Sequence, residues 1–142
     1  MTMSMLQPMF GMIALSAIVT LLLYASRFVL IYRVRAAGVD LAQARYADEA
    51  RQRLPGVFRN VTDNYNHLFE QPTLFYATVI YIHLMEHSDG LHLWLAWAYV
   101  AIRAVHSGVQ ISVNHVPWRI ASFVASGACL VVMIAREAVA LL

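Results

Sequence analysis

Four apolar stretches separated by polar breaks organise the chain, over about residues 8–32, 68–85, 91–113 and 117–141. A bilayer core of about 30 Å takes roughly 20 apolar residues of helix, so each stretch has the length of a membrane span or nearly so. Pro8 and Pro117 stand where a first helical turn tolerates a missing N–H. The links "HSDG" (His87–Gly90) and "VNHVP" (Val113–Pro117) are short, which makes the helices they join antiparallel neighbours. The pattern predicts an all-α integral membrane fold, a four-transmembrane-helix bundle, as a single domain over residues 1–142. The N-terminal run lacks a basic flank and is too long for the core of a cleavable signal. It reads as the first span.

The long polar connection, about residues 33–66, carries "DLAQARYADEARQRL", a surface helix capped by Asp40. Pro55–Gly56 breaks that helix. Arg33, Arg35, Arg45, Arg51, Arg53 and Arg59 all lie in this connection, and the next one carries no Arg. The positive-inside rule makes the long loop cytoplasmic and puts both termini outside. The short, loop-poor build points to a bacterial inner membrane.

Composition sharpens the class. The chain is 61% hydrophobic and 13% charged, where soluble domains run near 45–50% apolar and about 25% charged. A net charge of +2 is too small to suggest nucleic acid, and no basic tract supports such a partner, so none is expected. The single cysteine, Cys129, sits in an apolar stretch and reads as a packed thiol.

Ionisable residues inside spans are costly and mark function by default. At about 1.5 Å per residue, Glu70, Arg103, His106 and Gln110 fall roughly 21–31 Å from the turn at Asp89. They therefore share one band on the cytoplasmic side, where Arg119 opens the fourth span and Arg27 and Arg35 close the first. Arg103, His106, Gln110 and Asn114 are spaced three, four and four, one stripe of a helix. Asp63, Asn66, His67 and Glu70 form a matching stripe on the second. His83 and His106 differ by about 16 Å in depth, too far to sandwich one haem iron. His83 and His87 read as solvated at the interface, and Arg136 and Glu137 as snorkelling at the outer end. No zinc motif, phosphate loop or nucleophile elbow occurs, so no metal site is expected.

An Arg-rich cluster with a carboxylate, bordering lipid, complements a small ligand that carries carboxylates and an amine. Arg forks match carboxylates, Glu70 suits an ammonium, and an Arg lowers the pKa of a thiol. Glutathione has all these groups, though composition alone does not select it over other anions.

Two blocks, "NHLFEQPTLFYA" and "RAVHSGVQ" followed by "PWR", resemble the MAPEG family, membrane-associated proteins in eicosanoid and glutathione metabolism. With four spans and a long first loop, the resemblance covers most of the chain. It implies a homotrimer that holds glutathione between subunits near the cytoplasmic side. It also implies a glutathione-dependent transferase or peroxidase acting on lipophilic molecules from the bilayer. Arg119 would stabilise the thiolate. Arg35, Asn66, Glu70, Arg103, His106 and Gln110 would bind glutathione, the co-substrate. The chain departs from the family pattern at His67, where Asn is common, at Asp63, where Arg is common, and at Gln110, where Tyr is common. A non-catalytic module of the same fold, binding lipid or protein, is the alternative. A small multidrug exporter is disfavoured, because the first span carries Arg27 and no acid.

Overall fold

The computed structural model describes residues 4–36 and 56–142. Five helices make up these residues: α1 (Leu6–Ala36), α2 (Gly56–His67), α3 (Gln71–Leu84), α4 (Gly90–Ile111) and α5 (Val116–Ala140). No strand occurs among the described residues, so the fold is all-helical as expected. The surface helix expected after Asp40, with Arg45, Arg51 and Arg53, lies outside the described residues. Arg33 and Arg35 lie in the last turn of α1, and their side chains are likewise outside the described set.

Two helices, Leu6–Tyr32 within α1 and Val116–Ala140, are long and apolar enough to cross a membrane. The 22 residues of α4 reach about 33 Å. The second apolar stretch behaves differently. Its helix, α3, has 14 residues, or about 21 Å, less than a bilayer core. It starts at Gln71, not at Leu68, and Pro72 is the cause. Proline has no N–H to give the Leu68 carbonyl, and its ring crowds that carbonyl. Its fixed φ instead suits the first turn of a new helix. α2 therefore closes with tight bonds from Leu68 N–H to the Asn64 and Tyr65 carbonyls and from Phe69 N–H to the Asn66 carbonyl. Three residues, Leu68–Glu70, separate the two helices.

The break does not disturb packing. α2 and α3 together run antiparallel to α4. Asn60 meets Asn114, His67 meets His106, Gln71 meets Arg103 and Phe75 meets Tyr99. Fifteen residues forward from Asn60 to Phe75 are matched by fifteen back from Asn114 to Tyr99. The register is polar at the α2 end and apolar beyond Phe75, whose ring stacks on Tyr99 at 4.3 Å and 8°. Such a pair contributes about 0.5–1.5 kcal/mol beyond its buried area. Met5 just before α1, Met12 and Val19 of α1, Val79 and Ile82 of α3, and Leu130 and Met133 of α5 complete the buried core. The outward faces stay apolar: Phe10, Leu21, Phe28 and Tyr32 of α1 and Trp94 of α4 are well exposed.

At the other end, the α3–α4 turn is fastened to the last turns of α5. The Asp89 side chain caps α4, accepting from His92 N–H at 2.7 Å. It also accepts a two-pronged Arg136 fork at 3.1 and 2.5 Å. Arg136 thus has a carboxylate partner instead of snorkelling free. Glu137 departs further from expectation. It is buried, with its carboxylate 2.8 Å from His87 Nδ1 and 3.4 Å from His92 Nε2. The His87 hydrogen bond makes up for part of the lost solvent, because α5 runs alongside the α3–α4 turn at this height.

Arg136, and then the His92 N–H, hold the Asp89 carboxyl well below the usual carboxylate range. Unfolded Asp89 therefore takes up a proton first, and its contribution is complete above about pH 4 and lost as the pH falls further. We expect Asp89→Ala to cost about 1–2 kcal/mol near neutral pH, from the lost cap and exposed ion pair. Thermal melts of the solubilised protein should show that deficit shrinking toward about pH 3.

Candidate functional site

The polar part of the register builds a site where α2, α3, α4 and α5 converge. Arg103 is its centre. The side chain is fully buried, and its Nη2 donates to Gln71 Oε1. The same Oε1 accepts from Ser126 Oγ at 3.1 Å. The guanidinium lies 5.0 Å from the Phe123 ring centroid and 5.7 Å from that of Tyr99. Ring faces offset a buried cation by about 0.5–2 kcal/mol each. Nε and Nη1 have no hydrogen-bond partner among the described residues.

His106 stands one turn further along α4, also buried. Its Nδ1 lies 3.1 Å from the Arg119 carbonyl and 3.0 Å from Ser122 Oγ. A carbonyl only accepts, and the Ser122 hydroxyl already donates to the Trp118 carbonyl at 2.8 Å. Nδ1 therefore carries the hydrogen, which leaves Nε2 as the lone-pair nitrogen. That Nε2 is buried without a partner. Arg119 enters from the first turn of α5, and its Nη1 donates to Asn114 Oδ1 at 2.8 Å. Asn114 adopts φ 49°, a left-handed turn that Asn tolerates, and its Nδ2 donates to Asn60 Oδ1 at 2.8 Å. One amide thus ties Arg119 to α2.

A cleft of about 190 Å³ opens beside these groups, lined by His67, His106, Val116, Arg119, Ile120 and Phe123. Its walls are mostly apolar. Ligand sites for whole small molecules run about 300–1,000 Å³, so this cleft takes one part of a ligand.

Of the expected site residues, Arg103, His106 and Arg119 come together here. Gln110 is buried one turn beyond His106, with neither end of its amide partnered among the described residues. By register it stands opposite Asn64, which is equally buried and unpartnered. Glu70 is exposed and reaches the site only through His67, whose Nδ1 is 3.2 Å from Glu70 Oε2. The sequence pattern set Glu70 facing the buried cations, but the Pro72 break turns it outward and turns Gln71 inward. Asn66 is exposed and is not drawn into the cluster. The side chain of Arg35 lies outside the described residues.

Sequence reasoning missed Gln71, Phe123, Ser122 and Ser126. The signal was present. A helix restarted at Pro72 puts residues 71, 75, 78 and 82 on one face, and three of these are the buried Phe75, Thr78 and Ile82. Residues 119, 122, 123 and 126 likewise share one face of α5.

The described residues are all helical, with two helices long and apolar enough to cross a membrane and a buried cationic cluster at one end, the class of a membrane-associated helical protein. Family comparison matches residues 11–139 to the MAPEG family, and the chain belongs to it. Membership places it among the membrane-associated proteins of eicosanoid and glutathione metabolism. No curated protein and no solved structure matches the chain.

Gln71 fits because α5 has a glycine beside it. A Cβ at Gly127 would come within 2.8 Å of Gln71 Nε2. We expect Gly127→Ala to displace the amide from Arg103 and to cost about 1–3 kcal/mol. Gln71→Leu should cost about 1.5–3 kcal/mol, by removing a hydrogen bond to a buried charge. Because both act through one contact, a double-mutant cycle followed by denaturation should give a combined cost well below the sum.

Proposed function

We propose that the protein is a membrane-bound glutathione-dependent transferase or peroxidase acting on lipophilic substrates. The observation that carries this reading is the convergence of His106 and Arg119 on one cleft, with the buried Arg103 guanidinium behind its Phe123 wall. Three buried guanidinium N–H groups there, Arg103 Nε and Nη1 and Arg119 Nε, have no partner among the described residues. Buried donors of this kind call for acceptors, and a cationic pair calls for anions. Glutathione supplies two carboxylates and an ionisable thiol. Val116, Ile120 and Phe123 give the same cleft an apolar wall suited to a greasy electrophile.

In this reading Arg119 is the catalytic residue. Its charge favours the thiolate, the form that attacks. Arg103, His106 and Gln110 hold the rest of glutathione together with Arg35, and Asn66 and Glu70 contribute from exposed positions or a neighbouring subunit. The small volume of the cleft supports completion by a second copy, in a homotrimer with the site near the cytoplasmic face of a bacterial inner membrane. Both termini then face outside.

Glutathione should raise the melting temperature of the solubilised protein, as any ligand specific for the folded state does. At a hundredfold excess over Kd the gain is about 2.7 kcal/mol. Arg119→Ala should keep most of that shift while turnover of a chromogenic electrophile falls by about 100-fold. Stabilisation by lipid, with none by glutathione, would assign the fold to binding instead.

A further inference from the structure

We propose that His67, oriented by Glu70, is the general base that takes the thiol proton. The inference rests on the glutathione reading and adds a catalytic group to it. Two imidazoles line the cleft together with Arg119, with ring centroids 6.1 Å apart. Their surroundings differ in sign. A second positive charge on His106 would face Arg103 and Arg119, and its orienting partners are a neutral carbonyl and a hydroxyl. His67 has a carboxylate instead, with Glu70 Oε2 3.2 Å from Nδ1. That contact fixes the hydrogen on Nδ1 and leaves the Nε2 lone pair free to accept. It also provides a counter-charge for the imidazolium that forms. A base oriented by an acid beside a nucleophile is the general arrangement of activated nucleophiles.

His67 also has the accessibility a base needs. Its side chain is 32% exposed and lines the cleft, with the 60% exposed Glu70 beside it, whereas His106 is buried. The local sequence makes the dyad. His67 ends α2 and Glu70 is the last residue of the break, so the Pro72 interruption brings the carboxylate back onto the imidazole three residues earlier.

The step balances simply. The S–H bond breaks, its electron pair stays on sulfur beside Arg119, and the proton bonds to His67 Nε2. The Glu70 carboxylate accepts from Nδ1 throughout. The sulfur pair then forms the bond to the electrophile. The imidazolium returns the proton to the atom of the electrophile that gains the electron pair.

The groups that set the pH response come from each packed element. They are Asp63 and Glu70 around His67, Arg103 and His106 on α4, Arg119 on α5, and Arg27 of α1, which bonds Thr62 at 3.1 Å. Asp63 has an interaction of its own.

The test compares full-length wild type with His67→Asn in detergent, following glutathione-induced stabilisation and the pH profile of kcat/KM. A free thiol is already a few per cent ionised near pH 7, which caps the base at about 30-fold. We expect His67→Asn to keep the stabilisation and to lose about tenfold in kcat/KM near neutral pH. The loss should close at alkaline pH, and added imidazole should restore activity near neutral pH. An unchanged pH profile in His67→Asn, or a loss equal at all pH values and unmoved by imidazole, overturns the base assignment and leaves the glutathione reading intact. Absence of glutathione stabilisation in the wild type removes both.

Discussion

The buried guanidinium of Arg103 is the constraint on which the rest of the structure depends. A full charge inside an apolar bundle is held there by one side-chain oxygen, Gln71 Oε1, and two aromatic faces. Each of these requires something further along the chain. Gln71 faces inward because Pro72 restarts the helix, and it fits because Gly127 has no side chain. Phe123 stands over the charge because α5 runs antiparallel to α4 after a turn closed by left-handed Asn114. Remove the restart, and the register that pairs Gln71 with Arg103 and Phe75 with Tyr99 has no reason to hold.

The two ends of the bundle treat charge in opposite ways. At the α3–α4 turn, the Asp89 carboxylate is matched by Arg136 and the Glu137 carboxylate by His87, with His92 Nε2 3.4 Å from Glu137. That end is a fastening. At the α2 end, the cations outnumber the carboxylates, and buried nitrogens of Arg103, His106 and Arg119 have no partner among the described residues. A fold gains no stability from such groups, since an unmatched buried donor costs about 1–3 kcal/mol. Their concentration around one small cleft is the expected mark of a binding site, where local rules are broken for function.

Much of this was legible in the sequence. Apolar stretches gave the helices at α1, α4 and α5 nearly to their ends, and counting residues from the turn set Glu70, Arg103, His106 and Gln110 at one level, with Arg119 at the start of the fourth stretch. The two blocks that resemble the MAPEG family agree with the family match over residues 11–139. Three things were not legible for physical reasons. Hydropathy does not see a helix break in which every residue advances the chain by nearly a helical step, so α2 and α3 read as loop and span. A break of three residues changes which neighbour faces in, so Glu70 was expected where Gln71 stands. Glu137 reads as interfacial because its partners, His87 and His92, are about fifty residues away and meet it only through the fold.

The central claim is that the Arg103, His106 and Arg119 cluster binds glutathione and ionises its thiol. Ultraviolet difference absorbance tests it most directly, by titrating the solubilised protein with glutathione near neutral pH and following the thiolate band. The account predicts a saturable thiolate signal for the wild type and little or none for Arg119→Ala. No thiolate signal in the wild type, or an equal one in both proteins, contradicts it.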